Sequence, residues 1–287
     1  MRRLLRPVVV LLPLLAASPA VRAAAPDLWA GVSVPTPEQP RSIGSAAAGC
    51  VAGAVALPVD GEGYQVLRPG RNRLWSHPRT IALLQGLGRD FARDGGGPLL
   101  VGDLSQPRGG PMSYGHGSHQ NGLDADIWFR LPARPLGDAE RAAPVPVSMV
   151  KGRGVDGKVW TPRHLRLLQL AAARPEIDRI FVNPAIKAEA CRTARGDRGW
   201  LGKLRPWWGH DEHFHLRLSC PPGDLDCSPQ APVAAGDGCG AELQSWLKRP
   251  TVLPDASRDK PNFRRPVLPS SCTAVLDHPA RVPAGGR

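Results

Sequence analysis

Five of the eight histidines in this 287-residue chain fall within two short segments. His116 and His119 belong to the segment HGSHQNGLDAD, and His210, His213 and His215 belong to the segment HDEHFH. Imidazole nitrogens and carboxylate oxygens bind zinc, and histidine is the commonest general acid or base in enzymes. The two segments therefore predict a metal centre or a cluster of proton-transferring groups, because unrelated histidines would be scattered along the chain.

Both segments adjoin predicted β-strands, in which alternate side chains share a face. If residues 123–129 form a strand, Asp124 and Asp126 lie on one face and apolar side chains pack on the other. The same alternation places His213 and His215 together on one face of a second strand. Two such strands side by side would bring histidines and carboxylates to one point.

We expect His119, Asp126 and His215 to form a zinc site with an open fourth position for water, which is the pattern of catalytic zinc. Zinc lowers the pKa of bound water towards about 7 and polarises a carbonyl group. His213 is expected to act as general base, and His210 to donate a proton to the leaving amine or orient the substrate. Three isolated histidines are interpreted as structural, namely His77, His164 and His278.

The remaining pattern predicts the elements that must position these groups. Strands and helices mix without repeated βαβ units, which favours a single α+β domain. The predicted elements are a helix over 78–93, a strand over 99–103, a helix from 162 to about 174, a strand over 179–182, a helix over 184–191 and a strand over 213–218.

The N-terminus has the order of charge and hydrophobicity that is typical of a secretory signal peptide. Three arginines precede an apolar run over 8–17, and small residues follow it. We expect cleavage near Ala24 and no membrane insertion, because no second apolar stretch of 18 residues follows. The expected division is a signal peptide over 1–23, a zinc-binding domain over 24–250, and a Pro-rich extended tail over 251–287 tied by Cys272.

Composition limits the remaining possibilities. A hydrophobic content of 42% excludes a disordered chain. The formal net charge of +12 falls to +8 when the four arginines of the signal peptide are removed. The other arginines are scattered and form no basic stripe, so we expect no nucleic-acid partner.

The cysteine count predicts disulfides. Six cysteines remain after cleavage, which is an even number in an exported chain. The chain has no CxxC motif of the kind that forms structural zinc sites. We therefore expect three disulfides, and counting alone leaves fifteen pairings open.

The site motifs and further segments together resemble the penicillin-insensitive murein endopeptidases over nearly the whole mature chain. The similar segments are HGSHQNGLDAD at 116–126, HFH at 213–215, SIGS at 42–45, YQV at 64–66, IFVNPAIK at 180–187, RPW at 205–207 and GDGCGAELQSW at 236–246.

This resemblance implies a periplasmic zinc peptidase that cuts the cross-link between D-alanine and meso-diaminopimelate in peptidoglycan. It implies the fold of the D-Ala-D-Ala metallopeptidases, a small antiparallel sheet flanked by helices. His119, Asp126 and His215 would be the zinc ligands, His116 would belong to the same metal group, and His213 would be the base.

Two structural details also follow from the resemblance. The implied disulfides are Cys50–Cys272, Cys191–Cys239 and Cys220–Cys227. Members of the family carry an Asp-Gly-Lys-His stretch that offers a second metal position, whereas Val159 follows Asp156-Gly157-Lys158 here. We therefore expect no second zinc there and interpret Asp156 as a turn residue.

Two alternatives compete with the zinc enzyme. Ser245 and Lys248 satisfy the S-x-x-K pattern of serine murein peptidases, although the S-D-N and K-T-G motifs are missing. A non-catalytic periplasmic protein that binds zinc or the cell wall would need a closed ligand set, whereas His210 and His213 beside a three-ligand site favour proton transfer.

Overall fold

The computed structural model describes residues 25–250 and 266–279. The predicted signal peptide lies outside the described residues, as do residues 251–265 and 280–287 of the predicted tail. The described strands are β1 Arg41–Ser45, β2 Ala48–Ala52, β3 Val55–Ala56, β4 Asp60–Gly61, β5 Tyr64–Val66, β6 Trp75–Ser76, β7 Leu99–Val101, β8 Asp124–Trp128, β9 Val150–Lys151, β10 Gly154–Val155, β11 Ile177–Val182, β12 Leu204–Pro206 and β13 His213–Leu218. The described α-helices are α1 Pro26–Ala30, α2 Pro78–Arg93, α3 Asp138–Ala142, α4 Pro162–Ala172, α5 Pro184–Thr193, α6 Ala241–Lys248 and α7 Ser271–Asp277.

The largest sheet has seven strands in the order β12-β11-β13-β8-β7-β5-β4. Its four central strands β11, β13, β8 and β7 are antiparallel to their neighbours within that group. β12 and β5 join this central part in parallel, so the whole sheet is mixed and larger than the small antiparallel sheet expected. The single α+β domain is confirmed, and its relation to the D-Ala-D-Ala metallopeptidases stays a prediction.

The two faces of the central strands have opposite chemistry. Ala125 and Ile127 of β8 and Phe214 and Leu216 of β13 are fully buried, and they pack with apolar side chains of α2, α4 and α5. This cluster is the main core, and burial of its apolar surface is worth about 25 cal/mol per Å². Because side chains alternate along a strand, the polar residues of β8 and β13 project from the opposite face.

The side chains of the isolated histidines His77 and His164 accept hydrogen bonds at the N-termini of two helices. The His77 Nδ1 accepts a hydrogen bond from the Arg79 N–H at 3.2 Å, at the first turn of α2. The His164 Nδ1 accepts from the Thr161 N–H at 2.9 Å, and its Nε2 donates to the Phe129 carbonyl at 3.0 Å. Both imidazoles therefore supply acceptors at helix N-termini, where backbone N–H groups lack partners within the helix.

The prediction of an extended tail is wrong for α7. This helix buries Cys272, Val275 and Leu276 in a second core, with Trp29, Ile43, Cys50 and Ala52. The sequence pattern missed it because a two-turn helix shows too little hydrophobic periodicity, and its apolar partners lie at the other end of the chain. The described part of the tail, residues 266–279, is thus fixed by packing as well as by Cys272.

Three disulfides link the described residues in the pairs implied by the resemblance: Cys50–Cys272, Cys191–Cys239 and Cys220–Cys227. They span 222, 48 and 7 positions of sequence respectively. Within 25–250 and 266–279, no helix has the length and apolar character needed to cross a membrane.

Candidate active site

The pairing of β8 with β13 brings the two histidine segments together. In this antiparallel register His215 lies opposite Asp126, and Arg217 lies opposite Asp124. Directly opposed residues have Cβ atoms about 4.5–5.5 Å apart, so their side chains meet on the polar face of the sheet. The expected convergence of the two segments is therefore a consequence of strand register.

His119 reaches this face from the loop that precedes β8. Its backbone is left-handed, with a φ of 66°, which is uncommon for a residue other than glycine. The Asp124 Oδ2 accepts a hydrogen bond from the His119 N–H at 3.1 Å and holds this conformation. His210 also has a left-handed backbone, with a φ of 51°. Strained backbone of this kind costs about 1–3 kcal/mol and concentrates at functional sites.

Gly122 forms the turn between His119 and β8. Its φ is 74°, and a Cβ there would lie 2.9 Å from the backbone nitrogen of His77. The Gly122 carbonyl accepts hydrogen bonds from the hydroxyl groups of Ser76 and Thr80 at 2.6 and 2.9 Å. A side chain at this position would disturb the turn that directs His119 towards the site.

The Asp126 Oδ1 lies at ligand-like distances from one nitrogen of each of the two predicted histidine ligands. The Asp126 Oδ1 lies 3.4 Å from the His119 Nε2 and 3.2 Å from the His215 Nδ1. Two ligands each about 2.0–2.1 Å from a tetrahedral zinc are about 3.3–3.4 Å apart. These separations fit a zinc ion bound between His119, Asp126 and His215.

Three buried polar atoms of His119 and Asp126 lack hydrogen-bond partners. They are both ring nitrogens of His119 and the Asp126 Oδ1. Buried polar atoms are usually paired, and leaving one unpaired costs about 1–3 kcal/mol. A cation bound to the Asp126 Oδ1 and one nitrogen of His119 would remove part of this deficit, so the residues fit a metal ion.

The described side chains form two compact groups that are able to hold a metal ion. One group contains His116, His119 and Asp126, and the other contains His119, Asp124 and His215. In each group the ligand atoms lie within 4.8 Å of one another. His116 therefore lies in the predicted cluster, and Asp124 is a further candidate that the sequence-based ligand set omitted.

Asp124 connects the cluster of candidate ligand side chains to Arg217. Its two oxygens accept hydrogen bonds from the Arg217 Nε and Nη2, both at 2.8 Å, and its Oδ2 lies 3.0 Å from the His215 Nε2. Burial lowers the pKa of His215, but Asp124 and Asp126 outweigh this effect and raise the pKa to about 9. Asp124 thus orients His215 from the side opposite Asp126, and alternation alone could not reveal this pairing.

Asp103 fixes His116 in a similar way. The Asp103 Oδ2 lies 3.0 Å from the His116 Nε2 and accepts hydrogen bonds from Arg71 and Arg73 at 3.3 and 3.1 Å. Burial raises the pKa of Asp103, but His116 and the neighbouring arginines hold it well below its usual range. Asp103 was predicted only as the end of a strand, because its partners come from distant parts of the sequence.

His213 and His210 lie beside the cluster and outside the proposed ligand set. The His213 Nε2 is 3.7 Å from the Asp126 Oδ2, and the ring centroid of His210 is 5.2 Å from that of His213. The His213 side chain is 28% exposed, whereas that of His119 is fully buried. Burial lowers the pKa of both residues, that of His210 to about 3. His213 is therefore more accessible than the ligands to a molecule from solvent.

The residues of the serine alternative do not form a catalytic arrangement. Ser245 and Lys248 are exposed on α6, and the Ser245 hydroxyl donates to the Glu242 carbonyl of its own helix at 2.7 Å.

Asp156 lies in the segment compared above with the second metal motif of the family. Its Oδ1 accepts a hydrogen bond from the Lys158 N–H at 3.0 Å. This local bond identifies Asp156 as a turn residue, as expected.

Comparisons with known proteins agree with the site motifs. A sequence profile described as penicillin-insensitive murein endopeptidase matches residues 42–277. The chain is 47% identical to the penicillin-insensitive murein endopeptidase of Haemophilus influenzae, covering 90% of this chain and 91% of the relative. It is 43% identical to that of Klebsiella pneumoniae strain 342, covering 94% and 97%. With this extent of similarity, the chain belongs to the penicillin-insensitive murein endopeptidase family.

Proposed function

We propose that this protein is a zinc-dependent murein endopeptidase that hydrolyses the D-alanyl–meso-diaminopimelyl cross-link of peptidoglycan. The observation that carries this proposal is the buried Asp126 Oδ1, which lacks a hydrogen-bond partner and lies 3.4 Å from the His119 Nε2 and 3.2 Å from the His215 Nδ1. Relatives that are at least 42% identical to the chain are named penicillin-insensitive murein endopeptidases, which supports the murein endopeptidase part of the proposal.

The proposed zinc ligands are His119, Asp126 and His215, with His116 at the edge of the same group. Zinc bound there would supply a Lewis acid and an activated water molecule to an amide bond. Asp124 and Asp103 serve as outer partners that hold His215 and His116 in place, and outer partners of this kind commonly tune metal affinity.

His213 is the proposed general base. Its accessible imidazole lies on the Asp126 Oδ2 side of the cluster, separate from the atoms assigned to the metal. The Nδ1 of His210 donates to the Trp208 carbonyl at 3.2 Å, so in the neutral imidazole the Nε2 carries no proton and is an acceptor. His213 would accept the proton of the attacking water. His210 would orient the leaving amine or, after its Nε2 has received the proton taken up by His213, pass that proton to the amine.

The proposed location is the periplasm. The charge and hydrophobic order of residues 1–23 support export, and three disulfides support an oxidising compartment. Residues 24–250 then carry the peptidase activity. Because α7 packs in the second core, the folded unit also includes this helix, which the sequence-based division assigned to the tail.

Purified peptidoglycan tests this function directly. Digestion should release peptides cut between D-alanine and diaminopimelate, stop when a chelator removes the metal, resume when zinc is added, and continue in the presence of a β-lactam. Metal content measured on the same samples should be about one zinc ion per chain. Cleavage by metal-free protein would contradict the proposal, and so would zinc binding without cleavage.

A further inference from the structure

Four aromatic side chains form a continuous surface beside the candidate active site, called here the aromatic platform: Phe181, Trp207, Trp208 and Trp246. The ring centroids of Phe181 and Trp207 are 6.0 Å apart, and Trp246 lies 5.8 Å from Trp207 and 6.1 Å from Trp208. Such separations are those of aromatic rings in direct contact. The platform therefore combines residues from β11, from the segment after β12, and from α6.

The platform begins at the proposed metal ligands. In the register of β11 with β13, Phe181 lies opposite His215, and their ring centroids are 5.3 Å apart. Phe181 is also 6.2 Å from the ring of His210. A substrate bound at the candidate active site thus has aromatic rings next to it, from Phe181 to Trp207 and then to Trp246. Arg217 lies over the Phe181 ring and Arg249 over the Trp246 ring, so Trp207 offers the open ring face.

Each part of the platform is fixed by the fold. The backbone N–H of Trp207 donates to the Val182 carbonyl at 2.9 Å, which continues the pairing of β12 with β11. α6 is held by its buried Leu243 and by the disulfide from Cys191 to Cys239, just before its start. The rings are consequently held in place before any ligand arrives, which lowers the entropy cost of binding.

Trp207 leaves a large apolar face in water. Its relative exposure is 54%, and it is the sole aromatic residue among the exposed large hydrophobic residues of the described ranges. An exposed indole that continues an aromatic cluster beside a site is characteristic of a binding surface. The platform is therefore suited to a ligand with a flat, partly apolar face.

We propose that the aromatic platform binds a sugar ring of the glycan strand attached to the peptide being cut, an inference that rests on the proposed function. Sugar rings present apolar C–H faces that stack on indole rings. A stem of three or four extended residues spans about 10–14 Å. The successive centroid separations of 5.3 Å from His215 to Phe181 and 6.0 Å from Phe181 to Trp207 place Trp207 within that reach.

The local backbone favours a sugar over an extended peptide. β12 is the edge strand beside Trp207, and its last residue, Pro206, has no backbone N–H to donate to an added strand. The N–H of Trp207 is already bonded to Val182. A ligand on the platform therefore gains contact area from ring faces and few hydrogen bonds from this part of the backbone.

The test uses full-length mature protein and two substrates with the same cross-link, one carrying its disaccharides and one free of sugar. Trp207→Ala should raise KM for the sugar-bearing substrate at least about five-fold, and leave kcat/KM for the sugar-free peptide unchanged. Trp207→Phe should restore part of the loss. Leu225→Ala, which removes an exposed apolar side chain elsewhere, serves as the matched control and should change neither substrate.

A binding measurement separates this proposal from the proposed function. Calorimetric titration with a β-1,4-linked N-acetylglucosamine tetramer should give measurable binding to the wild-type protein, and Trp207→Ala should weaken it at least about five-fold, even if no peptide is cut. No binding of this oligomer by wild-type protein would overturn the glycan assignment. If Trp207→Ala lowered kcat/KM equally for the sugar-bearing and the sugar-free substrate, the platform would bind the peptide. That result would also overturn the glycan assignment.

Discussion

The two oxygens of Asp126 face different histidines. Its Oδ1 lies near His119 and His215, the proposed metal ligands, at 3.4 and 3.2 Å. Its Oδ2 lies 3.6 Å from the His116 Nδ1 and 3.7 Å from the His213 Nε2, on more exposed side chains. Burial raises the pKa of Asp126, but the surrounding histidines hold it well below its usual range. One ionised carboxylate thus separates the proposed metal-binding atoms from the proposed base.

Substitutions at His213 and His215 should separate these two roles. His213→Gln should keep about one zinc ion per chain and lose about 10²–10⁴-fold in turnover, because it removes a proton acceptor without removing a ligand. His215→Gln should lose the metal as well as the activity. Metal content by mass spectrometry and turnover on a cross-linked muropeptide provide both readouts. Full turnover by zinc-loaded His213→Gln would exclude this residue as the base.

Asp124 should control metal affinity through its contact with His215. Asp124→Asn keeps the size of the side chain but removes the charge that faces His215 and Arg217, so zinc affinity should fall about 10–100-fold. Competition with a chromogenic chelator measures the change. Asp178→Asn is a suitable control, because Asp178 pairs with its neighbour Arg179 at 2.6 Å. Equal zinc affinity in Asp124→Asn and wild type would contradict the orienting role.

At the scale of elements, alternation predicted which side chains share a face but not which side chains meet. The alternation of side chains along a strand correctly placed Asp124 and Asp126 on one face of β8. It also placed His213 and His215 on one face of β13. The pairing of His215 with Asp126, of Arg217 with Asp124 and of Phe181 with His215 depends on strand register. Register is set by contacts between segments about 90 residues apart for β8 and β13, so local sequence contains little information about it.

Lys187 joins three elements near the aromatic platform. This fully buried residue of α5 donates from its Nζ to the carbonyls of Leu201 and Asp237, both at 2.6 Å. Burial is the main cause of its lowered pKa, which is about 8. The bonds fasten the 3₁₀ turn Gly199–Lys203 and the loop before α6 to α5.

This buried amine should make stability depend on pH. Between about pH 8 and the ordinary lysine pKa of 10.5, the unfolded chain binds more protons at Lys187 than the folded chain does. The folded state therefore gains stability as pH rises through this window. Lys187→Met should be less stable at every pH, because two buried carbonyls lose their donor. The gap in free energy of unfolding between wild type and variant, measured by urea denaturation, should widen from pH 8 to 10.5. A constant gap would contradict the buried-amine explanation.

At the scale of the whole molecule, the second core unites distant parts of the chain. Trp29 precedes the first sheet, whereas Cys272, Val275 and Leu276 belong to α7. Arg108 adds hydrogen bonds from its Nη1 to the carbonyls of Val275 and Leu276 at 3.1 and 2.8 Å. The C-terminal segment is therefore held by a disulfide, by apolar packing and by a buried guanidinium group.

Loss of the Cys50–Cys272 disulfide should loosen α7 and leave the metal site intact. For a loop of this length the chain-entropy relation gives about 5 kcal/mol, and measured values are often smaller. Cys272→Ser should lower Tm by at least about 5 °C and allow protease to cut first after Pro250, while bound zinc is retained at low temperature. Arg108→Ala in the same background should lower Tm further. Loss of zinc from folded Cys272→Ser, or an unchanged Tm, would contradict this separation.

The same disulfide sets an order of events during biosynthesis. If the chain is exported from its N-terminus, as proposed, Cys50 reaches the oxidising compartment 222 residues before its partner. During that interval four other cysteines appear, and all four precede Cys272 in the chain: Cys191, Cys220, Cys227 and Cys239. If Cys50 oxidised as soon as a thiol came within reach, it would form a wrong bond, and thiol–disulfide exchange would have to correct it. Correct maturation therefore requires either delayed oxidation of Cys50 or an isomerase that acts after the last helix has been made.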